Sequence, residues 1–291
     1  MTPTALALAT DPSSSHGGPG TRDLVAFLAA SHRLFVLTGA GCSTESGIPD
    51  YRDLDGGWKH RRPVTYQRFV GNPAVRRRYW AGSLAGWERI AAAAPNDAHR
   101  ALADLERGGS MHWLVTQNVD GLHQRAGSSR VTDLHGRLDK VLCIACRTRY
   151  PRAPFQAALA SANPAFRGLL AGARPDGDAE VDGEALADFV VPECVRCGGT
   201  LKPDVVFFGE AVPPRRVNEA LARLAEADAM LVVGSSLMVW SGYRFVLRAR
   251  ELGLPVAALN LGRTRADGGE LDLKVELPCG RALTAAIGGG S

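Results

Sequence analysis

Leu34-Phe-Val-Leu-Thr38-Gly-Ala-Gly-Cys-Ser-Thr-Glu-Ser-Gly-Ile-Pro-Asp-Tyr-Arg52 is the stretch on which the reading of this chain turns. Leu34–Leu37 is apolar at every position, which suits a strand covered on both faces, as in a parallel sheet. Glycines directly after such a strand let backbone N–H groups approach a phosphate, best at a helix N-terminus. The ordinary dinucleotide fingerprint wants a third glycine at position 44, where this chain has Thr44. Taken alone, the stretch is therefore equally a tight strand-to-helix turn.

Further short apolar runs lie on either side of it: Trp113–Thr116, Val205–Phe208, Met230–Val233, Val256–Leu259 and Val275–Leu277. Helical patterns separate several of them. Asp97–Arg107 has Ala98, Leu102 and Leu105 on one stripe, Asn96 as a cap and Gly108 as a stop. Val217–Asp228 is rich in Ala and Leu, and Thr21 is placed to cap a first helix carrying Leu24, Phe27 and Leu28. Alternation of strands and helices predicts an α/β fold with a doubly wound, Rossmann-like parallel sheet, whose ligands bind beyond the carboxyl ends of the strands.

Two segments break the alternation. Residues 58–90, with Trp58, Trp80 and Trp87, read as a helical insertion. Residues 141–200 hold Cys143/Cys146 and Cys194/Cys197 as two Cys-x-x-Cys pairs and read as an inserted module. The expected organisation is a disordered tail (1–20), a discontinuous nucleotide-binding sheet domain (21–140 and 201–285) and a smaller zinc-binding domain (141–200). The tail is Pro-, Gly- and Ser-rich, and it lacks the arginines of a mitochondrial presequence and the apolar core of a secretory signal.

Each Cys-x-x-Cys brings two thiolates onto one ion from a tight turn, and two such turns complete a tetrahedral zinc site. The 47 residues between Cys146 and Cys194 exceed the roughly 15–20 of ribbon-type sites. Disulfides or redox pairs are the alternative. A cytosolic chain keeps such thiols reduced, and neither pair opens a helix after a strand. Four thiolates leave no open coordination position, so one structural zinc per chain is expected. Gly198-Gly199 supplies the permissive backbone of a metal knuckle. The solitary Cys42 reads as a small hydrophobe.

Composition narrows the function. The chain has 291 residues, 45% hydrophobic and 22% charged, which excludes extensive disorder, collagen and coiled coil. A net charge of +4 is too small to argue for nucleic acid. No uninterrupted apolar run reaches the ~20 residues of a membrane-spanning helix, so no membrane partner is expected. Localisation is expected to be cytoplasmic, and oligomeric state is left open.

Polar residues cluster at the predicted strand ends: Gln117-Asn-Val-Asp120-Gly-Leu-His123, Gly234-Ser-Ser236 and Asn260-Leu-Gly262. Together with the glycines after Leu37 they form the floor of a nucleotide cleft. His135, followed by Gly136 and placed just before the cysteine module, is the histidine positioned for chemistry. His16, His32, His60, His99, His112 and His123 read as structural.

Taken in order, Gly39–Arg52, Thr116–His123, Leu134-His-Gly136, the paired Cys-x-x-Cys, Gly234–Ser236 and Asn260 resemble sirtuins, the NAD-dependent protein deacylases. The resemblance runs from about residue 21 to 285. Gly199–Glu210, Gly234–Phe245 and the long cysteine spacer look most like class II, which includes a mitochondrial sirtuin associated with lipoamidase, deacylase and ADP-ribosyltransferase activity. The resemblance implies NAD held by Gly39, Ala40, Gly41, Ser43, Tyr51, Arg52, Gln117, Asn118, Val119, Asp120, Gly234, Ser235, Ser236, Asn260, Leu261, Gly262 and Cys279. It implies His135 as catalytic base, with a pKa near neutral suiting that role, and Asn118 beside it. Zinc would sit on Cys143, Cys146, Cys194 and Cys197. Acyl-lysine proteins or peptides would pair as an added strand along Val206, Phe208, Gly209 and Glu210. The implied reaction transfers the acyl group to ADP-ribose and releases nicotinamide. Protein ADP-ribosylation, lipoamidase activity and a non-catalytic NAD or ADP-ribose sensor are the alternatives. A hydride-transfer dehydrogenase is disfavoured by Thr44 and by the lack of an acidic ribose reader in register. Class II members share Tyr51 where the wider family has Phe. No Tyr/Arg pair for an acidic acyl group can be placed within Arg76-Arg-Arg-Tyr-Trp80.

Overall fold

A computed structural model describes residues 19–59, 62–166 and 186–288. The expected tail up to residue 18, His60 and the Arg174–Glu180 stretch lie outside the described residues.

Six strands form one sheet in the order β3-β2-β1-β7-β8-β9, and every neighbouring pair is parallel. The strands are β1 (Leu34–Thr38), β2 (Met111–Thr116), β3 (Val131–Asp133), β7 (Ala229–Val233), β8 (Val256–Leu259) and β9 (Leu273–Val275). Side chains alternate between two cores, because successive residues of a strand point to opposite faces. Leu34, Val36, Leu231, Val233, Ala257 and Leu259 pack on one face. Helices α1 (Pro19–Ala29), α4 (Asp97–Arg107) and α9 (Cys279–Gly288) cover it. Phe35, Leu37, Met230, Val232, Val256 and Ala258 pack on the other, under α7 (Pro214–Ala225) and α8 (Trp240–Glu251). This double burial is why the strands read as continuous apolar runs.

A second sheet, β5-β4-β6, is antiparallel and consists of β4 (Gly136–Cys143), β5 (Arg149–Pro151) and β6 (Leu201–Val205). Its strands begin five residues before, and end five residues after, the 141–200 segment. The two segments that interrupt the alternation share one core. Phe69 of α2 (Tyr66–Gly71) and Tyr79, Trp80 and Ile90 of α3 (Pro73–Ala92) pack with Phe155 of α6 (Arg152–Ala162), Leu201 and Val205. Trp80 is fully buried and its indole N–H donates to the Leu201 carbonyl at 3.2 Å.

Several expectations shift. Val205–Phe208 is no parallel strand: only Val205 lies in a strand, that strand is β6, and Val206–Phe208 continues as a connection. Its aromatic residues pack on other rings instead, with half-buried Phe208 against Tyr51 and Trp58, and buried Phe207 against Phe69 and Tyr79. The last strand sits two residues earlier than Val275–Leu277. β3 escapes notice because it has three residues, two of them polar. The first helix begins at Pro19, so Thr21 lies within it, and α7 starts three residues before Val217. Asn96 caps α4 as expected, accepting from the Ala98 and His99 N–H groups.

Candidate active site and metal centre

Strand order reverses between β1 and β7, which opens a crevice at their carboxyl ends. The two ends meet through glycines. The Gly39 N–H donates to the Val233 carbonyl at 3.0 Å and that of Gly41 to the Gly234 carbonyl at 2.8 Å. Gly234 has φ +61°, and a Cβ on it would lie 2.2 Å from the Cys42 nitrogen. Backbone cannot move aside cheaply, so Gly234→Ala should cost at least about 2 kcal/mol. The expected result is a lowered melting temperature, and an unchanged one would show that the contact relaxes freely.

A cleft of about 540 Å³ opens there, within the roughly 300–1,000 Å³ of small-molecule sites. It gathers Gly39, Ala40, Gly41, Ser43, Tyr51, Arg52, Gln117, Asn118, Val119, Asp120, His135, Gly234, Ser235, Ser236, Asn260 and Leu261. Val206, Phe208, Gly209 and Glu210 line it as well. Gly262 and Cys279 do not. Gly262, at φ +79°, lets the loop before Trp58 dock: a Cβ would lie 2.5 Å from the Leu54 carbonyl oxygen, and the next N–H, of Arg263, donates to that carbonyl at 2.6 Å. Cys279 is buried at the start of α9, packed in the sheet core.

The polar floor is tightly bonded. Asn118 Nδ2 donates to the Gly39 carbonyl and to Ser43 Oγ, both at 3.0 Å. The Ser43 hydroxyl donates to Asp120 Oδ2 at 2.8 Å, and the Leu122 N–H donates to Asp120 Oδ1 at 2.9 Å. Burial raises the Asp120 carboxyl above its usual range, against the pull of those two hydrogen bonds. Gln117 Nε2 donates to Ser235 Oγ at 2.8 Å and so ties β2 to β7. On the rim, Arg52 lies over the Trp58 ring at 3.7 Å and donates to the Gly56 carbonyl at 2.9 Å. Burial lowers its pKa, with Arg62 adding to the effect.

His135 sits in the two-residue turn between β3 and β4, immediately before Gly136. Its Nδ1 is 2.9 Å from the Gln117 carbonyl, which can only accept, so Nδ1 carries the proton. Nε2 is then the basic nitrogen, 2.7 Å from Ser241 Oγ in the first turn of α8. Burial lowers the pKa to about 4, with Arg216 and Arg244 also lowering it and the Gln117 hydrogen bond opposing. The near-neutral value expected for a base is therefore not found, and the ring is neutral and proton-accepting through the physiological range. Because the folded pKa is depressed, activity that needs the free base should hold across neutral pH and fall only as pH drops toward about 4. A kcat/KM profile that falls already between pH 8 and 6 on a single histidine titration would contradict this.

Glu210 turns inward: Lys202 Nζ lies 3.1 Å from its Oε2, and the Phe207 N–H donates to Oε2 at 2.9 Å. Its carboxylate holds its own turn. The Val206 N–H donates to the His135 carbonyl at 2.7 Å, so the segment bearing Val206 and Phe208 is anchored on the histidine's backbone. Sequence reasoning missed the segment Leu237–Ser241, which lines the cleft with Val239 37% and Trp240 52% exposed. Large apolar residues left open beside a polar Gly-Ser-Ser turn were the available signal. Tyr79 lines the cleft beside Val64 and Phe207, whereas Arg76, Arg77 and Arg78 do not. Arg76 instead donates to the Phe69 and Val70 carbonyls.

The four-cysteine cluster lies at one end of the small sheet, with Cys143 closing β4 and the other three in turns. Cys143 and Cys197 Sγ are 3.6 Å apart, and Cys146 and Cys194 Sγ 3.7 Å. A tetrahedral ion with Zn–S bonds of ~2.3 Å has S···S edges of about 3.8 Å, whereas a disulfide needs about 2.05 Å. All four ligand atoms lie within 4.8 Å of one another. Gly199 is required, since a Cβ there would sit 3.0 Å from Cys143 Sγ and 3.1 Å from Cys197 Sγ. The donor set fits one zinc ion with no open position.

The comparisons agree with this geometry. The Sir2 family model matches residues 39–241. An NAD-dependent protein deacetylase of Bordetella bronchiseptica is 59% identical over 90% of this chain and 95% of its own length. The mitochondrial NAD-dependent protein lipoamidase sirtuin-4 of Bos taurus is 49% identical over 90% of this chain and 84% of its own. A solved Sir2 complex with a p53 peptide and NAD+ superposes with a TM-score of 0.75 at 30% identity, covering 93% of this chain and 99% of that one. With these relatives, and with the glycine turn, the polar floor, His135 and the cysteine cluster all in place, this chain belongs to the Sir2 family.

Proposed function

We propose that this chain is an NAD-dependent protein-lysine deacylase. The observation that carries the reading is the convergence of five strand ends on one cleft, with His135 Nε2 directed into it beside the Val206–Phe208 wall. NAD, when bound, supplies the ADP-ribosyl acceptor for the acyl group and nicotinamide as leaving group. Gly39, Ala40 and Gly41 bring backbone to its phosphates, and Gln117, Asn118 and Asp120 orient the ribose end. Ser235 and Asn260 meet the adenosine side. His135 accepts a proton at Nε2 and passes its Nδ1–H bond to the Gln117 carbonyl, which keeps the ring in the right tautomer. The buried floor excludes water from the reacting centre.

The acylated peptide pairs by its backbone between Val206–Gly209 and the Leu237–Trp240 segment, with the exposed Val239 and Trp240 as its apolar rim. Val64, Tyr79 and Phe207 offer an apolar wall to the acyl chain. No arginine of Arg76–Arg78 reaches it, so uncharged acyl groups are preferred over acidic ones. The 1–20 tail, the 21–140 and 201–285 sheet domain and the 141–200 zinc module remain our proposed division. A reducing cytoplasmic setting keeps the four thiolates available to zinc. Among the described residues no helix is long and apolar enough to cross a membrane.

A panel of acyl-lysine peptides incubated with NAD and followed by mass spectrometry tests the reading. One nicotinamide released per acyl group lost is the expected outcome. Nicotinamide released without acyl loss identifies a transferase, and NAD bound but never consumed identifies a sensor.

A further inference from the structure

Behind the glycine turn, on the sheet-core side, lies a cluster that the cleft does not use. Cys42 is 1% exposed, His99 0% and His123 1%. The Cys42 sulfur and one ring nitrogen from each histidine lie within 4.8 Å of one another. The two rings are 4.7 Å apart and tilted by 53°.

Neighbouring hydrogen bonds settle which nitrogens are free. Asn96 Nδ2 donates to the Cys42 carbonyl at 2.8 Å, which fixes the other amide atom as the oxygen. That oxygen can only accept and lies 2.8 Å from His99 Nδ1, closer than the Asn96 backbone N–H at 3.3 Å, so the shorter contact favours the proton on Nδ1 and leaves the lone pair on His99 Nε2. The Thr38 hydroxyl donates to Thr116 Oγ1 at 2.8 Å, so His123 Nε2, 2.9 Å from Thr38 Oγ1, must donate to it. The lone pair of His123 then sits on Nδ1, a fully buried atom with no hydrogen-bond partner. Buried polar atoms are rarely left this way, and each one calls for a reason. Both rings are thus oriented as metal ligands usually are, with the far nitrogen donating to an oxygen and the near one free.

We propose that Cys42, His99 and His123 form a second metal site, separate from the four-cysteine centre, which takes Zn2+ through Sγ, Nε2 and Nδ1. One thiolate and two imidazoles are a zinc donor set. Bond lengths of ~2.3 Å to sulfur and ~2.0–2.1 Å to nitrogen need ligand separations of about 3.3–3.6 Å, so contraction from 4.8 Å by an ångström or so closes the site. The Cys42 thiol gives its proton to solvent on binding. The thiolate offsets one charge of the ion and the Asp120 carboxylate, one hydrogen bond away through Ser43, offsets the other. Ser43 Oγ lies 3.5 Å from His99 Nε2, at the edge of the cluster. Ser43 also accepts from Asn118 in the cleft floor, so occupancy pulls on the same network that receives the cofactor. Zinc at this site therefore opposes NAD binding.

The test begins with the full chain carrying one equivalent of zinc, verified by metal analysis. Titration with further Zn2+ against a chromophoric chelator should show a second equivalent in the wild type, and Co2+ added in its place should give a thiolate-to-metal charge-transfer band. Cys42→Val, which keeps an apolar side chain of similar size, and His123→Gln should each weaken the second equivalent tenfold or more while keeping the first. Wild-type protein that stops at one equivalent overturns the site, whatever the variants do, and so does a Cys42→Val protein with the second equivalent intact. NAD affinity, read by calorimetry without any acyl substrate, should fall when the second equivalent binds. Unchanged affinity overturns the coupling, independently of whether the chain proves to be a deacylase.

Discussion

Replacing His135 with Ala is expected to lower NAD-dependent deacylation by about 10²–10⁴-fold, the usual contribution of a positioned general base. The ring holds its proton on Nδ1 against the Gln117 carbonyl and presents Nε2 to the cleft, and among the described residues no other histidine lines that space. The substitution leaves the two sheet cores untouched, since His135 belongs to none of the buried apolar clusters. The melting temperature should therefore change little while turnover collapses. Single-turnover acyl transfer with saturating NAD separates chemistry from binding. A variant that still consumes NAD with an acyl peptide at the wild-type rate would remove His135 from the reaction.

The second large effect is expected from the four-cysteine centre. Removing its zinc, or replacing Cys194 with Ser, should unfold the β4-β5-β6 unit and abolish activity. In zinc-finger peptides such ions supply about 10–16 kcal/mol of apparent binding energy at neutral pH, and that energy is folding energy. Here Cys143 and Cys194 are themselves packed in the core that α2 and α3 share. Its loss reaches the cleft through Tyr79 and Phe207, which belong to the same core and line the cleft. Hydrogen exchange should therefore show protection lost first in residues 136–205, with the parallel sheet holding longer. Full activity in protein shown by metal analysis to be zinc-free would contradict a structural role.

How much of this was legible beforehand follows from burial. β1, β2, β7 and β8 are covered on both faces, so their apolar runs announce them, and Asn96 marks the start of α4 by its capping chemistry. The same rule misleads at Val205–Phe208, where an equally apolar run packs on aromatic rings from the 51–79 region and forms no sheet strand beyond Val205. β3 went unread because three residues with two polar ones have no period to detect. Segments 58–90 and 141–200 read as two insertions because nothing local in either one states that Trp80 will pack against Phe155, at 4.6 Å between ring centroids.

The candidate site divides in the same way. Gly39–Arg52, Gln117–Asp120, Gly234–Ser236, His135 and the four cysteines carry their chemistry in residue type and spacing, so the chain by itself determined the glycine turn, the zinc ligands and the family they resemble. Only the tertiary structure decided that Gly262 holds a loop while Cys279 stays in the core, that Glu210 spends its carboxylate on Lys202, and that Leu237–Trp240 forms a wall. It also brought Cys42, His99 and His123 together from a turn and two different helices. Spacing along a chain reports partners a few residues apart, whereas most of these contacts join residues tens of positions distant, and only packing sets which of them meet.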